Sequence, residues 1–287
     1  MNWEFAVNDM KMGARLYFGF GVVTCLMERG KVGYGVVSRH HLGHVFLLVA
    51  GLFVTEVAMA GASTVTGNIG VTSDYIFRGI SQTSHRPAIQ GGLDYVHESG
   101  FYAGVYASNV NWISNSGAVA SGSANLELDT YLGLKNTFAD DFSYDAGFIR
   151  YNYPGSYKST TGFSKADTDE VYGAIGYKWF SAKYSYALGD FLTVPGARGT
   201  RYIELNANLP LADTGFIIGL HAGQQIFKPA AASIYTYTDY KLGISKDING
   251  YLLGVAYTQT NAGPAWTYPV GGNWGRGTAA LSLIHVF

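Results

Sequence analysis

Apolar and polar residues alternate with a period of two along the chain from Gly61 onward, in runs of about ten residues. Successive side chains of a β-strand point to opposite faces of the sheet, so this period predicts strands with one apolar and one polar face. In the run 125–135, four leucines fall on one face, and Glu127, Asp129 and Lys135 fall on the other. No stretch of this region keeps a helical period.

The alternating runs predict twelve strands, joined in turn by tight turns and long polar loops. The strands are predicted at residues 64–77, 88–97, 101–109, 124–137, 142–153, 169–179, 181–188, 200–209, 215–227, 238–246, 251–260 and 277–287. Five short turns and six long loops are the connections of an antiparallel up-and-down barrel whose two termini lie on the side of the short turns.

A secreted β-sandwich is the alternative for an all-β chain of this kind. A sandwich normally exposes charged outer faces, whereas the polar face here consists largely of Gly, Ser, Thr, Tyr and Asn. Strands of about ten residues also match a tilted crossing of the hydrocarbon layer. Because a closed sheet leaves no unpaired edge in lipid, we expect an all-β transmembrane barrel of about 12 strands.

Composition narrows the classes of protein further. Only 14% of the 287 residues are charged, 38 are Gly, and the net charge is -1. The charged fraction lies well below the ~25% that is usual for soluble domains. A net charge near zero gives no basic field for nucleic acid, so no nucleic-acid partner is expected. The longest strongly apolar run, 45–54, is half the ~20 residues that a spanning helix needs.

The N-terminal region has the pattern of a secretory signal. Basic residues precede the apolar run 45–54, and Ala58 and Ala60 form an Ala-x-Ala cleavage site directly after it. We therefore expect two parts, a leader at 1–60 and a mature barrel at 61–287. The leader is long, so we expect translation to start downstream of the first residue. The single cysteine, Cys25, lies in the leader, and the mature part has no thiol or disulfide.

Two further patterns belong to outer-membrane barrels. The C-terminal alternation resembles the strand signal that the bacterial outer-membrane assembly machinery recognises; it consists of Leu281, Leu283, His285 and Phe287. Aromatic residues near the predicted strand ends are candidates for two interfacial girdles. These aromatic residues are Phe77, Tyr95, Phe101, Phe138, Phe142, Trp179, Phe216, Phe227 and Tyr251.

The first predicted strand and the residues after it carry a family resemblance. The chain reads Ser-Asp-Tyr-Ile-Phe-Arg-Gly-Ile-Ser-Gln at 73–82 and continues with similar segments at 88–95 and 99–110. This is similar to the TorF-type porins, a proteobacterial family of conserved hypothetical outer-membrane barrels. The close match covers about the first quarter of the mature chain. The resemblance implies a barrel that acts as a channel and brings no catalytic residues.

Alternation places charged residues of both signs on the inner face of the predicted barrel. The candidate pore-lining residues are Asp74, Arg78, Asp94, Glu127, Asp129, Lys135, Asp145, Lys178, Lys183, Glu204 and Lys241. Mixed signs on one wall predict a hydrated lumen with a transverse field and no strong preference for one ion sign. We expect Asp74 and Arg78 to pair across strands, for example with Asp94. Arg78 is the strongest candidate for a constriction, although each charge could simply hold the wall together.

The sequence gives little support for an enzyme. No Gly-x-Ser-x-Gly motif occurs, and no histidine pair has the spacing of metal ligands, so no catalytic residue, metal or cofactor is predicted. The carboxylates Asp167, Asp169 and Glu170 are interpreted as solvated groups beside a loop, with calcium binding as a weaker alternative.

The sequence thus predicts a porin-like channel in the outer membrane of a Gram-negative bacterium. Its expected partners are outer-membrane lipid, the assembly machinery and small hydrophilic solutes that diffuse passively. The alternative is a non-conducting barrel that uses its outer loops for attachment or envelope structure. The solute and the oligomeric state stay open.

Overall fold

The computed structural model describes residues 63–117, 123–139, 141–157, 163–228 and 230–287. The predicted leader and its cleavage site at Ala58 and Ala60 lie outside these residues. The strands are β1 Ser63–Thr72, β2 Ile76–Phe77, β3 Ile80–Ser81, β4 Ala88–His97, β5 Phe101–Asn109, β6 Leu126–Phe138, β7 Phe142–Asn152, β8 Thr168–Tyr177, β9 Phe180–Ala187, β10 Arg201–Pro210, β11 Phe216–Ile226, β12 Tyr237–Ile248, β13 Tyr251–Thr260, β14 Thr267–Tyr268, β15 Gly272–Asn273 and β16 Thr278–Val286.

Helical structure is minor in this part of the chain. One short α-helix, α1, spans Trp112–Ser116, and short 3₁₀-helices lie at Ala212–Thr214, Ala230–Tyr235 and Pro264–Trp266. None of the described helices has the length and apolar character needed to cross a membrane.

Twelve of the strands form one closed antiparallel barrel, which confirms the predicted fold class. Its order is β1-β16-β13-β12-β11-β10-β9-β8-β7-β6-β5-β4, so barrel strands that follow one another along the chain pair with each other, and β1 also pairs with β16. The first and last strands close the ring, and the Gly67 and Phe287 backbones exchange hydrogen bonds of 2.8 and 2.9 Å. The short turns share one end of the barrel, here called the turn end; the opposite end is the loop end.

The first strand is shorter than predicted, because the chain leaves the sheet after Thr72. The Ser73 hydroxyl accepts a 2.9 Å hydrogen bond from the Leu281 N–H. A side chain therefore satisfies a donor of β16 at the point where the β1 backbone departs. The following residues, 74–85, turn back into the barrel and are called the inner hairpin.

The inner hairpin is a two-stranded ribbon made of β2 and β3, in which Phe77 pairs with Ile80. Its two turn residues, Arg78 and Gly79, have φ angles of 47° and 79°. Positive φ at both central residues is the requirement of a type I′ turn, which matches the twist of a hairpin. A Cβ at Gly79 would come within 2.5 Å of Asp239, so the backbone passes too close to β12 for any larger residue.

The outer surface of the barrel is apolar, as the alternation predicts. Leucines dominate this surface, and Leu205, Leu242 and Leu281 are 59%, 56% and 61% exposed. A soluble protein rarely leaves so many large apolar side chains uncovered, whereas hydrocarbon solvates them. On the last strand, His285 stacks on Tyr251 at 4.3 Å, which explains how an imidazole fits on this face.

Of the two predicted aromatic girdles, the residues named for them form only the one at the turn end. Seven of the nine lie there: Tyr95, Phe101, Phe138, Phe142, Trp179, Phe216 and Tyr251. The other two were assigned wrongly. Phe77 belongs to the inner hairpin, and Phe227 is 4% exposed and packs inside the loop end. Their alternation matched a strand, but the backbone at these positions no longer follows the barrel wall.

Tyrosine rings on the inner wall lie flat over glycines of neighbouring strands. Tyr102 faces Gly133, Tyr131 faces Gly104, and Tyr172 faces Gly147 in the strand register. A Cβ at Gly147 would lie 2.5 Å from the Tyr172 hydroxyl and 2.7 Å from the Leu132 carbonyl. Glycine in a strand interior often marks such a close approach. These pairs keep large rings against the wall and leave the centre of the barrel free.

We expect Gly147→Ala to destabilise the barrel by about 1–3 kcal/mol, because the new methyl group overpacks this contact. The matched control is Gly173→Ala on β8, where a Cβ would meet nothing within 4 Å. The measurement is the temperature at which the barrel loses its folded gel mobility in detergent. Equal transition temperatures for the two variants would contradict the role given to the Tyr172–Gly147 pair.

Candidate functional site

A cavity of about 370 Å³ occupies the lumen, and all twelve barrel strands contribute side chains to it. Its wall is uneven. Strands β13 and β16 present small residues, namely Gly254, Ala256, Ala280 and Ser282, whereas β4 to β12 present tyrosines and charged residues. The free space therefore lies along the small-residue wall. The inner hairpin also contributes to the lining, through Asp74 to Gly79.

Arg78 at the tip of the inner hairpin is fixed by a buried ion pair. Its two terminal nitrogens donate to the two carboxylate oxygens of Glu170 at 3.0 and 2.7 Å, and one of them also donates to Gln225 at 3.0 Å. The guanidinium carbon lies 4.4 Å from the centroid of the Tyr202 ring and 4.8 Å from that of Phe77. The side chains of Arg78 and Glu170 are 3% and 1% exposed, so water does not screen the pair.

The charge of Arg78 is secure in this position. Burial alone would lower the pKa of its guanidinium, but the Glu170 carboxylate outweighs that effect and raises the pKa above its ordinary value. Bidentate geometry of this kind is among the strongest hydrogen-bonded arrangements in proteins. The tip of the inner hairpin is therefore tied to β8 on the far wall of the barrel.

Asp74 holds the base of the inner hairpin. One carboxylate oxygen accepts hydrogen bonds from the Ser81 and Thr83 hydroxyls at 2.6 and 3.1 Å, and the other contacts the His85 ring nitrogen at 2.8 Å. The Ser81 hydroxyl thus donates to a carboxylate and not to an imidazole. A serine nucleophile would instead need to donate its hydrogen bond to a histidine that acts as its base. These contacts form a structural clamp.

Aromatic side chains fill the loop end above the inner hairpin. Phe191 and Phe227 meet edge to face at 5.3 Å, Phe227 and Trp266 at 6.2 Å, and Trp112 and Tyr153 at 5.4 Å. They belong to one buried cluster that includes residues from most of the long loops. In this arrangement the loop end of the lumen is covered by packed side chains.

Along the charged wall, tyrosines hold the carboxylates and lie under the lysines. The Tyr102 hydroxyl donates to Asp145 and the Tyr131 hydroxyl to Asp94, each at 2.6 Å. The Lys183 ammonium lies 3.9 Å from the centroid of the Tyr172 ring. The hydroxyls of Tyr102 and Tyr172 also contact each other. The wall is thus a continuous polar network.

A second buried network joins β10, β11 and β12. The Tyr202 hydroxyl donates to Asp239 at 2.9 Å, and the His221 ring contacts Asp239 at 2.8 Å and Asn206 at 2.7 Å. Because His221 lies between the two polar groups, its ring orientation is fixed. This network faces the same cavity as the tyrosine wall.

The structure places ten of the eleven predicted pore-lining residues inside the barrel. They are Asp74, Arg78, Asp94, Glu127, Asp129, Lys135, Asp145, Lys183, Glu204 and Lys241. The exception is Lys178, which lies in the turn between β8 and β9, 3.5 Å from Asp141, with its side chain 46% exposed. Its φ of 51° shows why alternation fails there: the strand has already ended.

Two important residues of the lumen were not predicted. Glu170 was interpreted as a solvated loop carboxylate, and this was wrong, because it is fully buried and pairs with Arg78. The expected pairing of Arg78 with Asp94 is not formed; Asp94 bonds Tyr131 instead. Asp239, the partner of His221, was also missed. Glu170 and Asp239 both lie on the inward face of their strands. Counting two residues back from Tyr172 and from Lys241 along each strand would have identified them.

The described residues include no group of three or more His, Cys, Asp or Glu side chains arranged to hold a metal ion. The carboxylates of the lumen are spread over different strands and are mostly engaged by tyrosines, histidines or arginine. The polar lining is suited to contact with water.

The fold thus combines twelve closed strands, a polar lumen and the inner hairpin. Residues 56–284 match the model of a bacterial protein family of unknown function, Gcw_chp. The chain belongs to this family. The narrower resemblance to TorF-type porins stays a prediction. Among curated proteins, no match is found.

Several solved outer-membrane structures are similar to this chain at low sequence identity. An outer membrane channel from Pseudomonas putida F1 is 12% identical, with 83% of this chain and 100% of that chain covered and a TM-score of 0.40. OmpF of Salmonella typhi in complex with daunomycin is 10% identical, with coverages of 78% and 97% and a TM-score of 0.40. OprD from Pseudomonas aeruginosa is 12% identical, with coverages of 79% and 65% and a TM-score of 0.36.

We expect Glu170→Gln to destabilise the barrel by about 3–5 kcal/mol, because it leaves the buried Arg78 charge without its counterion. The matched control is Asp169→Asn, the preceding residue, whose partner Arg150 is 42% exposed and donates to it through one nitrogen. Exposed pairs contribute roughly 0–1 kcal/mol, so the control should unfold almost as the wild type does. The measurement is urea unfolding followed by tryptophan fluorescence in detergent. A loss in Glu170→Gln no larger than in the control would show that the pair does not secure the inner hairpin.

Proposed function

We propose that the protein is a porin-like channel for passive diffusion of small hydrophilic solutes or ions. The observation that carries the proposal is the polar cavity of about 370 Å³, to which every barrel strand contributes, enclosed by an apolar outer surface. A wall that is apolar outside and polar inside is the arrangement of transmembrane barrels that conduct water and solutes.

We place the channel in the outer membrane of a Gram-negative bacterium. The aromatic belt at the turn end supports this location, since aromatic girdles lie at the membrane interfaces. The expected signal sequence and the C-terminal pattern ending at Phe287 also support it, because both are features of exported barrels. The resemblance to TorF-type porins points in the same direction.

The route of a solute would follow the small-residue wall of β13 and β16, beside the inner hairpin. The tyrosine wall on the opposite side is held by its own hydrogen bonds and has little freedom to move. Twelve strands leave a narrower lumen than the ~16–18 strands of large water-filled porins. The proposed mechanism is therefore diffusion of small solutes past a hairpin that limits the width of the passage.

A non-conducting barrel is the second candidate function. The buried aromatic cluster over the loop end favours it, because packed side chains cover that mouth. In this case the outer loops would serve attachment or envelope structure. An enzymatic role is not proposed, since the Asp74, Ser81 and His85 contacts serve to hold the hairpin.

Single-channel recording separates these candidates. The full chain is expressed with its leader, extracted from membranes in detergent, checked for heat-modifiable gel mobility and inserted into planar bilayers. We expect discrete conductance steps for the wild type. Arg78→Gln should give larger or more frequent steps, because it frees the hairpin tip from Glu170.

The matched control is Arg150→Gln, which removes an arginine–carboxylate pair from the outward face of the barrel. It should conduct as the wild type does. Folded wild-type and Arg78→Gln barrels that both give no steps would exclude the channel and support the non-conducting barrel.

A further inference from the structure

We propose that the lumen prefers cations, and that Asp94 and Asp129 are the carboxylates that attract them. This inference rests on the proposed channel function and assigns it a class of solute, namely small monovalent inorganic or ammonium cations. It also departs from the sequence-based expectation of a lumen without a strong preference for one ion sign.

The first observation is the balance of charge around the cavity. Six carboxylates and four cationic side chains line it: Asp74, Asp94, Asp129, Asp145, Glu204 and Asp239 against Arg78, Lys135, Lys183 and Lys241. Glu127 and Glu170, both buried in the wall, add two further carboxylates. A cavity with an excess of one sign and walls of low dielectric raises the local concentration of the opposite ion.

The second observation is that two of these carboxylates keep free acceptor capacity. No described residue donates a hydrogen bond to Asp129, whose Oδ1 is fully buried and unpartnered although the residue is only 4% exposed. Asp94 accepts one bond from Tyr131 through Oδ1, while its Oδ2 is buried without a partner. Buried polar groups are normally satisfied, so these two carboxyl groups are exceptions within the lumen.

The remaining carboxylates of the cavity differ from this pair, because most of them have partners within the protein. Asp74 is bound by Ser81, Thr83 and His85, and Asp145 by Tyr102. Asp239 is bound by Tyr202 and His221 in the same way. Asp94 and Asp129 lie on β4 and β6, with only β5 between them. Their two carboxyl groups therefore lie on nearby parts of the cavity wall.

The cationic side chains of the cavity are less available to anions than these carboxylates are to cations. Arg78 is paired with Glu170, and Lys135 and Lys183 lie over the Tyr102 and Tyr172 rings at 4.9 and 3.9 Å. Lys241 forms no ion pair with the described residues, but Asp239 lies two positions away on the same inner face of β12. Asp94 and Asp129 thus have no salt-bridge partner among the described residues, whereas each cationic side chain lies near a carboxylate or over an aromatic ring.

The site is not a metal centre, because the described residues hold no suitable group of three ligands. One or two carboxylate contacts are appropriate for an ion that stays hydrated and must leave again, since conduction needs weak binding.

The test is the reversal potential of the channel in a potassium chloride gradient at pH 8.5. We expect the wild type to favour potassium over chloride. Asp129→Asn and Asp94→Asn should each lower the ratio of potassium to chloride permeability on the order of fivefold, the factor for one unit charge acting at about 4 Å in water. Lys241→Met should raise the same ratio.

The matched control is Asp141→Asn, which removes a carboxylate from an exposed turn at the turn end and should leave the ratio unchanged. Gel mobility verifies that each variant is folded. A wild-type channel that favours chloride or neither ion, or an unchanged ratio in folded Asp129→Asn, would overturn the cation preference and leave the channel standing. A folded wild type without any conductance would overturn the channel itself and this inference with it.

Discussion

The bidentate pair between Arg78 and Glu170 fixes what the rest of the lumen can be. Closing twelve strands produces a ring with more interior space than an eight-stranded barrel, and the inner hairpin occupies part of that space. The pair draws a hairpin of the chain into this ring and ties its tip to the far wall at 2.7 Å. Because both charges are buried, neither can be removed without leaving the other uncompensated. The inner hairpin is therefore held in place by the cost of leaving a buried charge unpaired as much as by the attraction between Arg78 and Glu170.

The segment 73–82, which carries the family resemblance, builds this hairpin. Ser73 takes over a hydrogen bond of the sheet where the chain leaves β1, and Asp74 gathers the hydroxyls that hold the base. Arg78 and Gly79 supply the turn with positive φ, and only glycine fits against β12. The Tyr75 hydroxyl reaches Glu127 at 2.5 Å. The pattern in the sequence is thus a set of contacts inside the barrel and not a strand of its wall.

The sequence predicts the barrel well because successive residues of a strand face the apolar exterior and the polar interior in turn, so their polarity alternates. Strand positions agree closely with the period of two, and inward parity places residues such as Asp94, Lys135 and Lys241 correctly. Alternation fails where the backbone stops following the wall. Phe77 fits the period of two although it lies in the inner hairpin, and Lys178 fits it although it lies in a turn. Neither residue can be placed from the period alone, because the period does not show where the strand ends.

Pairing within the lumen was harder to predict than orientation. The partner of Arg78 is separated from it by 92 residues, and nothing in the local pattern selects Glu170 over another inward carboxylate. The choice depends on how deep the hairpin reaches, which is a property of the closed barrel.

The interior also shows that strand number alone does not set the width of such a lumen. Tyrosine rings that lie flat over Gly104, Gly133 and Gly147 limit how far one wall projects into the lumen. The small residues on β13 and β16 have the same effect on the other wall. The inner hairpin then occupies part of the space that these walls leave. Most polar groups of the charged wall satisfy one another, so the free acceptors on Asp94 and Asp129 are exceptions within an otherwise self-contained network. Under the proposed cation preference, these two carboxyl groups influence which ion enters, because most other polar groups of the wall are already paired.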